Sequence, residues 1–369
     1  NPKFGKELKK YGATEFNSSY NCGSCTAVCS LSTGDDSFPR SMVRLSETGN
    51  EEDISASLKP WLCYYCGECS SNCPQTANPG ELMMSLRRWL TAKYDWTGLS
   101  GLMYKSLPAT IVAMVLIFAG VIGYAASEGF DAEKVMHIGH YFEMFAIAGV
   151  FGVILLPNLF RMWYFVIFKP SRKKTAGKAE SETEHSSRLT NLLGGIPLRV
   201  YLTSLSDFFL HMFTQKRALG CDDNQKRWFE HFILVIGYLT LLFTTVFLDW
   251  FSSENMFVII LGYLVSAIVF IVTFDFVTGR IKKNKEVSKH SRPSDWFFVI
   301  WLFLMGVTAF LVRLFIDFNI IESNFWLYLF HLTILAQWAL IIVPFGKWTH
   351  FLYRSFAMYF DKLQKSAAK

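Results

Sequence analysis

The sequence predicts a mainly α-helical protein in which a polar, cysteine-rich N-terminal region precedes a six-helix transmembrane bundle. Three observations lead to this fold class. Hydrophobic residues make up 51% of the 369 residues, whereas charged residues make up 18%, below the roughly 25% of an average soluble domain. Long apolar runs fill the chain after residue 106, and seven of the eight cysteines lie before residue 74. We therefore divide the chain into residues 1–105 and 106–369.

The membrane region contains apolar runs of roughly 17–23 residues, each long enough to cross a hydrocarbon core of ~30 Å as a helix. The six runs are residues 109–126, 138–160, 232–248, 256–274, 296–312 and 325–345. So many runs are difficult to cover with polar surface in a soluble fold, which favours membrane helices over buried ones. Residues 189–228 are amphipathic and predict helices lying at the cytoplasmic interface.

Charges in the connections predict the orientation of the bundle. Lys and Arg concentrate in segments 169–188 and 280–292, whereas the turns 127–135, 249–255 and 317–323 are mostly acidic. By the positive-inside rule, the basic loops and both termini are expected on the cytoplasmic side of the inner membrane. The start of the chain is basic but lacks the apolar core of a signal peptide. Because the basic residues lie in short loops, nucleic-acid binding is not expected.

Two cysteine-rich segments repeat one another, 20-YNCGSCTAVCS and 64-YYCGECSSNCP. Cys63 precedes the second segment and completes the spacing C-x2-C-x2-C-x3-C-P, which is typical of cubane iron–sulfur ligation. In this pattern three closely spaced thiolates bind one cluster and the fourth reaches the other cluster. One 4Fe-4S cluster is therefore expected on Cys63, Cys66, Cys69 and Cys29, and a second cluster on Cys22, Cys25 and Cys73.

Ser19 stands where the repeat would have the counterpart of Cys63, so the second cluster lacks one cysteine. The second cluster is either a 3Fe-4S cluster, or a 4Fe-4S cluster with Ser19 or another group as ligand, or one that uses Cys221. Zinc ribbons use two pairs of ligands rather than triplets, and disulfides require an oxidising compartment. Apolar residues at helical spacing between Cys29 and Cys63 favour a helical two-cluster ferredoxin-like domain.

Histidines of the membrane region predict haem ligands. His231 and His350 lie at the cytoplasmic ends of apolar runs, whereas His331 and either His140 or His137 lie toward the outer ends. Two bis-histidine b haems, one near each face, follow as a hypothesis, because imidazoles within lipid need a partner. The alternative is a set of interfacial histidines bonded to backbone or water.

Three charged residues within or beside the apolar runs complete the candidate site. Arg313 near the outer face and Arg161 near the inner face are expected to bind haem propionates. Glu143, three residues beyond His140, is expected to carry protons near an outer quinol site. We therefore take Glu143 and Arg313 as the candidate catalytic residues and Arg161 as a cofactor-binding residue. Snorkelling of each side chain to the interface is the alternative.

The N-terminal motifs resemble the HdrC-type subunit of heterodisulfide reductase. They are 63-CYYCGECSSNCP, the variant repeat before it and 39-PR between the two. The membrane half resembles the nitrate reductase gamma or HdrE-type cytochrome b, because 331-HLTILAQWALIIVPFGKWTH looks like that family's two-histidine helix. The fusion of both halves is similar to the membrane subunit of quinone-interacting oxidoreductase complexes (QmoC-like).

This resemblance implies b haems, menaquinone and soluble partner subunits that carry flavin and iron–sulfur clusters (HdrA-like, QmoA/QmoB-like). It implies that the seven N-terminal cysteines are cluster ligands and that His231, His331 and His350 are haem ligands. The chain departs from the families at two places. Ser19 replaces the first cysteine, and Thr240 and Leu241 stand where the gamma-type cytochrome would have a second histidine.

The sequence therefore favours a quinone-linked electron-transfer subunit that is active only within a complex. Electrons would pass between menaquinol or menaquinone, the b haems and two iron–sulfur clusters to a cytoplasmic oxidoreductase partner. One alternative is the membrane subunit of a heterodisulfide- or sulfite-reductase-type complex with the opposite electron flow. Another is a haem-free iron–sulfur membrane anchor without a quinone site.

Overall fold

The computed structural model describes most of the chain as helix, and the described residues contain no β-strand. The predicted mainly α class is therefore confirmed. The description covers residues 1–34, 36–176, 190, 193–216, 219, 225–246, 255–283 and 286–367. Cys221, residues 177–188 of the first basic loop and residues 249–254 of one predicted outer turn lie outside it.

Among the described residues, eight helices precede the first apolar run. They are α1 (Phe4–Lys10), α2 (Ser24–Ala27), α3 (Arg40–Glu47), α4 (Glu51–Ala56), α5 (Lys59–Leu62), α6 (Glu68–Ser71), α7 (Pro79–Tyr94) and α8 (Leu99–Lys105). A 3-10 turn lies between α1 and α2 at Phe16–Ser18.

The rest of the described chain alternates long helices with short ones. The α-helices are α9 (Leu107–Ser127), α10 (Ala132–Gly149), α11 (Leu156–Trp163), α12 (Lys169–Ala176), α13 (Leu198–Thr203), α14 (Leu205–Thr214), α15 (Gln225–Val246), α16 (Met256–Lys282), α17 (Glu286–Lys289), α18 (Pro293–Asp317), α19 (Phe325–Gln337), α20 (Val343–Phe345) and α21 (Thr349–Ala367). Three π-helical segments continue α10, α11 and α19, at Val150–Leu155, Tyr164–Phe168 and Trp338–Ile342.

Five described helical stretches are long and apolar enough to cross a membrane. They are Leu107–Ser127, Ala132–Arg172, Met256–Lys282, Pro293–Asp317 and Glu322–Ala367. The remaining predicted run, 232–248, falls on α15, which has 22 residues and is followed by residues outside the description. The six-helix count therefore stays a prediction.

Side-chain caps begin several of these helices. Asn78 caps α7 by accepting the backbone N–H of Glu81, and Ser106 caps α9 in the same way. Asp131 and Asn255 cap α10 and α16. Each cap satisfies an N–H group that has no partner within the helix, which fixes where the helix starts.

By their internal contacts the residues form two compact units. Unit one contains residues 1–105, 156–224 and 349–369, and unit two contains residues 106–155 and 225–348. The division by composition, 1–105 and 106–369, shares the boundary after residue 105. Packing adds three boundaries, after residues 155, 224 and 348.

The core of unit one surrounds α7, on which 14 of 16 residues are buried. Phe4 and Trp61 pack into this core from the N-terminal region. Met162 and Val166 join it from the α11 region, and Tyr353 joins it from α21. The segments far along the chain therefore complete the core of the cysteine-rich region.

Unit two is held by close helix packing and a few polar contacts. Gly306 of α18 lies against α16, where a Cβ would come within 3.0 Å of Val269 and 3.1 Å of the Phe270 nitrogen. Gln337 donates to the carbonyl of Met114 at 3.0 Å and accepts from Trp301 Nε1 at 2.8 Å. Small residues and buried amides of this kind are the usual means of joining helices within a membrane.

Candidate iron–sulfur centre and membrane cavity

The two cysteine segments fold into the same loop. Gly23 and Gly67 occupy matching positions with φ of 92° and 95°, and each is followed by a four-residue helix, α2 or α6. Residues with a Cβ rarely adopt this conformation, so the glycine allows the sharp turn between the first two cysteines. Asn21 and Tyr65 also match, with φ of 54° and 57°.

Backbone hydrogen bonds repeat from one loop to the other. The N–H of Cys29 donates to Thr26 O at 3.3 Å, and the N–H of Cys73 donates to Ser70 O at 3.3 Å. The amides that follow each glycine donate back to its carbonyl in both loops. The repeat found in the sequence is therefore a repeat of backbone geometry.

Ser19 occupies the same local position as Cys63. The backbone N–H of Asn21 donates to Ser19 Oγ at 3.2 Å, and the backbone N–H of Tyr65 donates to Cys63 Sγ at 3.4 Å. Both bonds join a side chain to the amide two residues later. A hydroxyl oxygen thus takes the place of a thiol in one of two matching loops.

Electrostatic neighbours of two cysteines cross from one loop to the other. The pKa of Cys29 is raised by burial and by the nearby thiols of Cys63 and Cys66. Burial likewise raises the pKa of Cys25, with Cys73 and Cys22 as its charged neighbours. The ligation pattern of two-cluster proteins places one cysteine of each predicted ligand group on the other loop.

The two groups differ in depth. Cys63 and Cys69 are 7% and 9% exposed, whereas Cys22 is exposed. Burial raises the pKa of the Cys63 and Cys69 thiols, because a thiolate loses its hydration there. A hydrogen bond with the Ser24 hydroxyl lowers the pKa of Cys22. Cys66, the counterpart of Cys22, is also exposed.

Two buried arginines of α7 support the Cys63 loop. Arg87 donates from Nε to Pro60 O at 2.7 Å and also bonds the carbonyl of Cys63. Arg88 pairs with Glu81 at 2.7 Å, and Glu81 accepts the Tyr65 hydroxyl at 3.0 Å. This ion pair therefore holds Tyr65, the residue between Cys63 and Cys66 with positive φ. These arginines were not predicted from the sequence, although two adjacent charged residues inside the apolar stretch 82-LMMSLRRWL could have indicated them.

The donor set fits iron–sulfur clusters. Thiolates of a cubane each bind a different iron, so they lie farther apart than ligands of one ion. Among the described residues, no three His, Cys, Asp or Glu side chains are arranged around a single metal ion. The spacing Cys63-x2-Cys66-x2-Cys69-x3-Cys73-Pro74 is the feature that suits a cluster.

Unit two contains a cavity of about 150 Å³. Its wall comes from α10, α15, α18, α19 and two π-helical segments, Val150–Leu155 and Trp338–Ile342. The lining is mostly apolar. His331, Glu143 and the hydrogen-bonded pair of Trp338 and Tyr238, at 2.9 Å, are its polar members.

His331 and Glu143, predicted separately from the sequence, lie in the wall of this cavity. The Nδ1 atom of His331 lies 2.7 Å from Thr308 Oγ1. Glu143 has no hydrogen bond and no ion pair within the part of the chain that the structure describes. A carboxyl group in an apolar wall is a typical mark of a functional position within a membrane protein.

The remaining predicted residues lie elsewhere. Arg313 pairs with Asp317 at 2.7 Å, and Arg161 donates to Lys93 O at 3.1 Å. His137 is exposed, with its ring 5.2 Å from that of Tyr141. His140 lies on α10, and its side chain is outside the description.

The two histidines predicted to bind the inner haem lie in different units. His231 belongs to α15 of unit two, and His350 is the second residue of α21 in unit one. Their pairing stays a prediction. Around His331, the cavity has the volume of an engineered protein cavity that holds one benzene ring. A haem has four pyrrole rings, so this cavity does not fit one.

Comparisons with known proteins cover the N-terminal region. Residues 20–78 match a family model described as a 4Fe-4S dicluster domain. The HdrC component of the H2:CoB-CoM heterodisulfide, ferredoxin reductase is 25% identical over 73 residues, in Methanothermobacter thermautotrophicus and in Methanothermobacter marburgensis alike. The match covers 20% of this chain and 40% of each relative, so the chain spans about two fifths of their length. No solved structure matches the chain. The N-terminal region is thus an iron–sulfur domain similar to the HdrC component of heterodisulfide reductase.

Proposed function

We propose that the chain is the membrane subunit of an oxidoreductase complex, which passes electrons between a quinone in the membrane and a cytoplasmic partner. The observation that carries this proposal is the paired cysteine loop in a chain with five membrane-length helices. Iron–sulfur clusters exchange single electrons. An electron carrier dissolved in the lipid, such as menaquinol or menaquinone, is therefore a suitable reaction partner on the membrane side.

The contacts around Cys63 support an order for the two clusters. Trp61 packs on Tyr353 of α21 with ring centroids 5.3 Å apart, and both side chains are fully buried. The charge of Arg354, also on α21, acts on the Cys63 thiol. His350 lies one helical turn before Tyr353. We therefore assign the Cys63-side cluster to the membrane end of the path.

The Cys22-side cluster then faces the partner. Tyr20, beside Cys22, is 75% exposed, whereas its counterpart Tyr64 in the other loop is only partly exposed. Soluble HdrA-like subunits with flavin and iron–sulfur centres, of the QmoA/QmoB type, are the partners we propose. The names of the relatives favour a second candidate, the membrane subunit of a heterodisulfide-reductase-type complex. Identifying the subunits that copurify with the chain separates the two.

A b haem belongs to the proposal, with His231 and His350 as its ligands. A bis-histidine haem supplies one-electron transfer between quinone and clusters. Both histidines are only partly buried, and each lies near the start of its helix. A haem-free anchor is the competing proposal.

The first test is His350→Ala in the full chain, purified in detergent. We expect the pyridine haemochromogen assay to show one b haem fewer per chain, because the iron loses an axial ligand. The absorbance of the oxidised iron–sulfur clusters should be retained. Under anaerobic conditions, menadiol should reduce the clusters, and so bleach this absorbance, at least tenfold more slowly than in the wild type. His290→Ala, which changes a histidine of the basic segment 280–292 that has no part in the proposed site, is the matched control. Unchanged haem content would contradict the pairing, and a wild-type chain with clusters but no haem would support the anchor.

A further inference from the structure

A buried cation lies against the loop that carries Cys63. Arg87, on α7, is 9% exposed. Its Nε donates to Pro60 O at 2.7 Å, and one terminal nitrogen donates to Trp61 O at 3.4 Å and to the carbonyl of Cys63. These bonds hold a permanent positive charge beside the backbone of a predicted cluster ligand.

The charge of Arg87 acts on the sulfur of Cys63. Burial raises the pKa of the Cys63 thiol, and the charges of Arg87 and Arg354 oppose this effect. Arg354 lies on α21, directly after Tyr353, whose ring packs on Trp61. Two cations from distant segments therefore favour negative charge at one buried sulfur, where screening by salt is weak.

The other cysteine loop has a different electrostatic environment. Arg40 of α3 is a cation that acts on Cys22, and its guanidinium lies beside the turn at Gly23. Arg40 is only half-buried and Cys22 is exposed, so solvent and salt screen this charge. The two loops thus share a backbone but differ in how strongly protein cations act on their sulfurs.

Charge near the ligands affects the reduction potential of a cluster. Reduction adds one electron, and hence one negative charge, to the cluster and its thiolates, and it needs no bond to form or break. Net charge, hydrogen bonds and solvent exposure set the potential of such a centre. Burial on the Cys63 side disfavours the added charge because hydration is lost, whereas nearby cations favour it.

We propose that Arg87, together with Arg354, raises the reduction potential of the Cys63-side cluster. Both arginines act through their charge, and neither is a predicted ligand. They offset the effect of burial, so that a cluster within the core of unit one accepts an electron more readily. The inference goes beyond the proposed function, because it needs only the iron–sulfur domain and gives no role to a quinone or a haem.

The test is a reductive titration with dithionite on the full chain, purified anaerobically in detergent and followed by electron paramagnetic resonance. The step that disappears in Cys69→Ser identifies the Cys63-side cluster, because Cys69 is one of its predicted ligands. Arg87→Gln removes the charge but keeps an amide donor. We expect its equilibrium constant for this reduction to fall about tenfold, which is about 60 mV for a one-electron couple.

Three further variants separate charge from structure. Arg87→Lys keeps the positive charge, so the equilibrium constant should change less than about twofold. Arg354→Gln removes the second charge from a different helix and should lower the same constant by about threefold, since Arg354 is only partly buried. Arg40→Gln, at the other loop, should leave this step unchanged. If Arg87→Gln does not retain its clusters, Arg354→Gln decides alone.

Several results would overturn the inference. An unchanged midpoint in Arg87→Gln or in Arg354→Gln would show that the charge does not act on the cluster. Equal losses in Arg87→Gln and Arg87→Lys would assign the effect to the hydrogen bonds instead. An equal loss in Arg40→Gln would mean that any nearby charge has this effect. Reduction by dithionite involves neither quinone nor haem, so the outcome is independent of the menadiol test of the proposed function.

Discussion

The loop that carries Cys22 and the loop that carries Cys66 have the same backbone conformation but lie in different surroundings. Their glycines, positive-φ residues and turn hydrogen bonds agree residue by residue. Their first ligand position holds Ser19 in one loop and Cys63 in the other. Backbone geometry therefore determines where a ligand stands, and the side chain at that position determines whether it can bind iron.

The surroundings also differ in burial and charge. Cys63 lies in the core of unit one, and Arg87 bonds its carbonyl. Cys22 is exposed, with Arg40 as a nearby charge. Because the potential of a cluster depends on solvent exposure and on hydrogen bonds near its sulfurs, we expect the two clusters to differ in reduction potential. One scaffold thus yields two electron-transfer sites with different properties.

The largest expected effect comes from removing a buried ligand. In Cys69→Ser the iron content should fall by about half, since one cluster loses a ligand. The hydroxyl would also be buried in apolar surroundings, at a cost of about 1–3 kcal/mol. We expect the midpoint temperature of the thermal transition, followed by circular dichroism, to fall about 5 °C further than in Cys22→Ser, which changes an exposed cysteine.

Cys22→Ser serves as the control because it removes one exposed ligand from the other predicted group. Its iron loss should be similar, but its effect on the thermal transition should be smaller. Equal transition temperatures in the two variants would contradict the expected difference between a buried and an exposed ligand position.

A smaller but more specific effect is expected at Ser19. Thiolate is the preferred ligand of iron–sulfur clusters, so we expect Ser19→Cys to complete a four-iron site. Iron content should rise by about one per chain, from roughly seven to roughly eight. The electron paramagnetic resonance signal of an oxidised three-iron cluster should disappear at the same time.

Ser18→Cys is the neighbouring control. Ser18 Oγ donates to the carbonyls of Glu15 and Gln75 rather than accepting an amide in the cysteine loop, so its replacement should leave the iron content unchanged. If Ser19→Cys behaves like Ser18→Cys, the second cluster is not a three-iron cluster that lacks a ligand at position 19.

The sequence predicts the features that depend on local spacing. The cysteine repeat, the place of Ser19 and the long apolar helices are all set by neighbouring residues, because covalent geometry fixes which side chains meet. His331 and Glu143 are also predicted as functional residues from the sequence, because polar side chains are rare within apolar runs.

Features that depend on contacts between distant segments were not predicted. The bond between Thr308 and His331 joins α18 to α19, and the support of Cys63 by Arg87 joins α7 to the loop before it. The packing of Tyr353 on Trp61 involves residues almost 300 positions apart. Neither hydrophobic periodicity nor motif spacing contains such information, so the cavity could only be found in the folded chain.

The smallest expected effect tests whether the two loops are equivalent in their backbones. Gly23 and Gly67 have φ of 92° and 95°, so alanine at either position should cost about 1 kcal/mol, or about 2–4 °C in the thermal transition. A Cβ at Gly23 would lie 3.6 Å from the Arg40 guanidinium, which is an ordinary contact and adds no clash.

The control is Gly120→Ala, in helix α9 with open space around the position. It should not lower the transition temperature. Equal losses at Gly23 and Gly67 would support a shared backbone under different side chains. A clearly larger loss at Gly67 would mean that burial affects the turn itself, and that the two loops are less equivalent than their dihedral angles indicate.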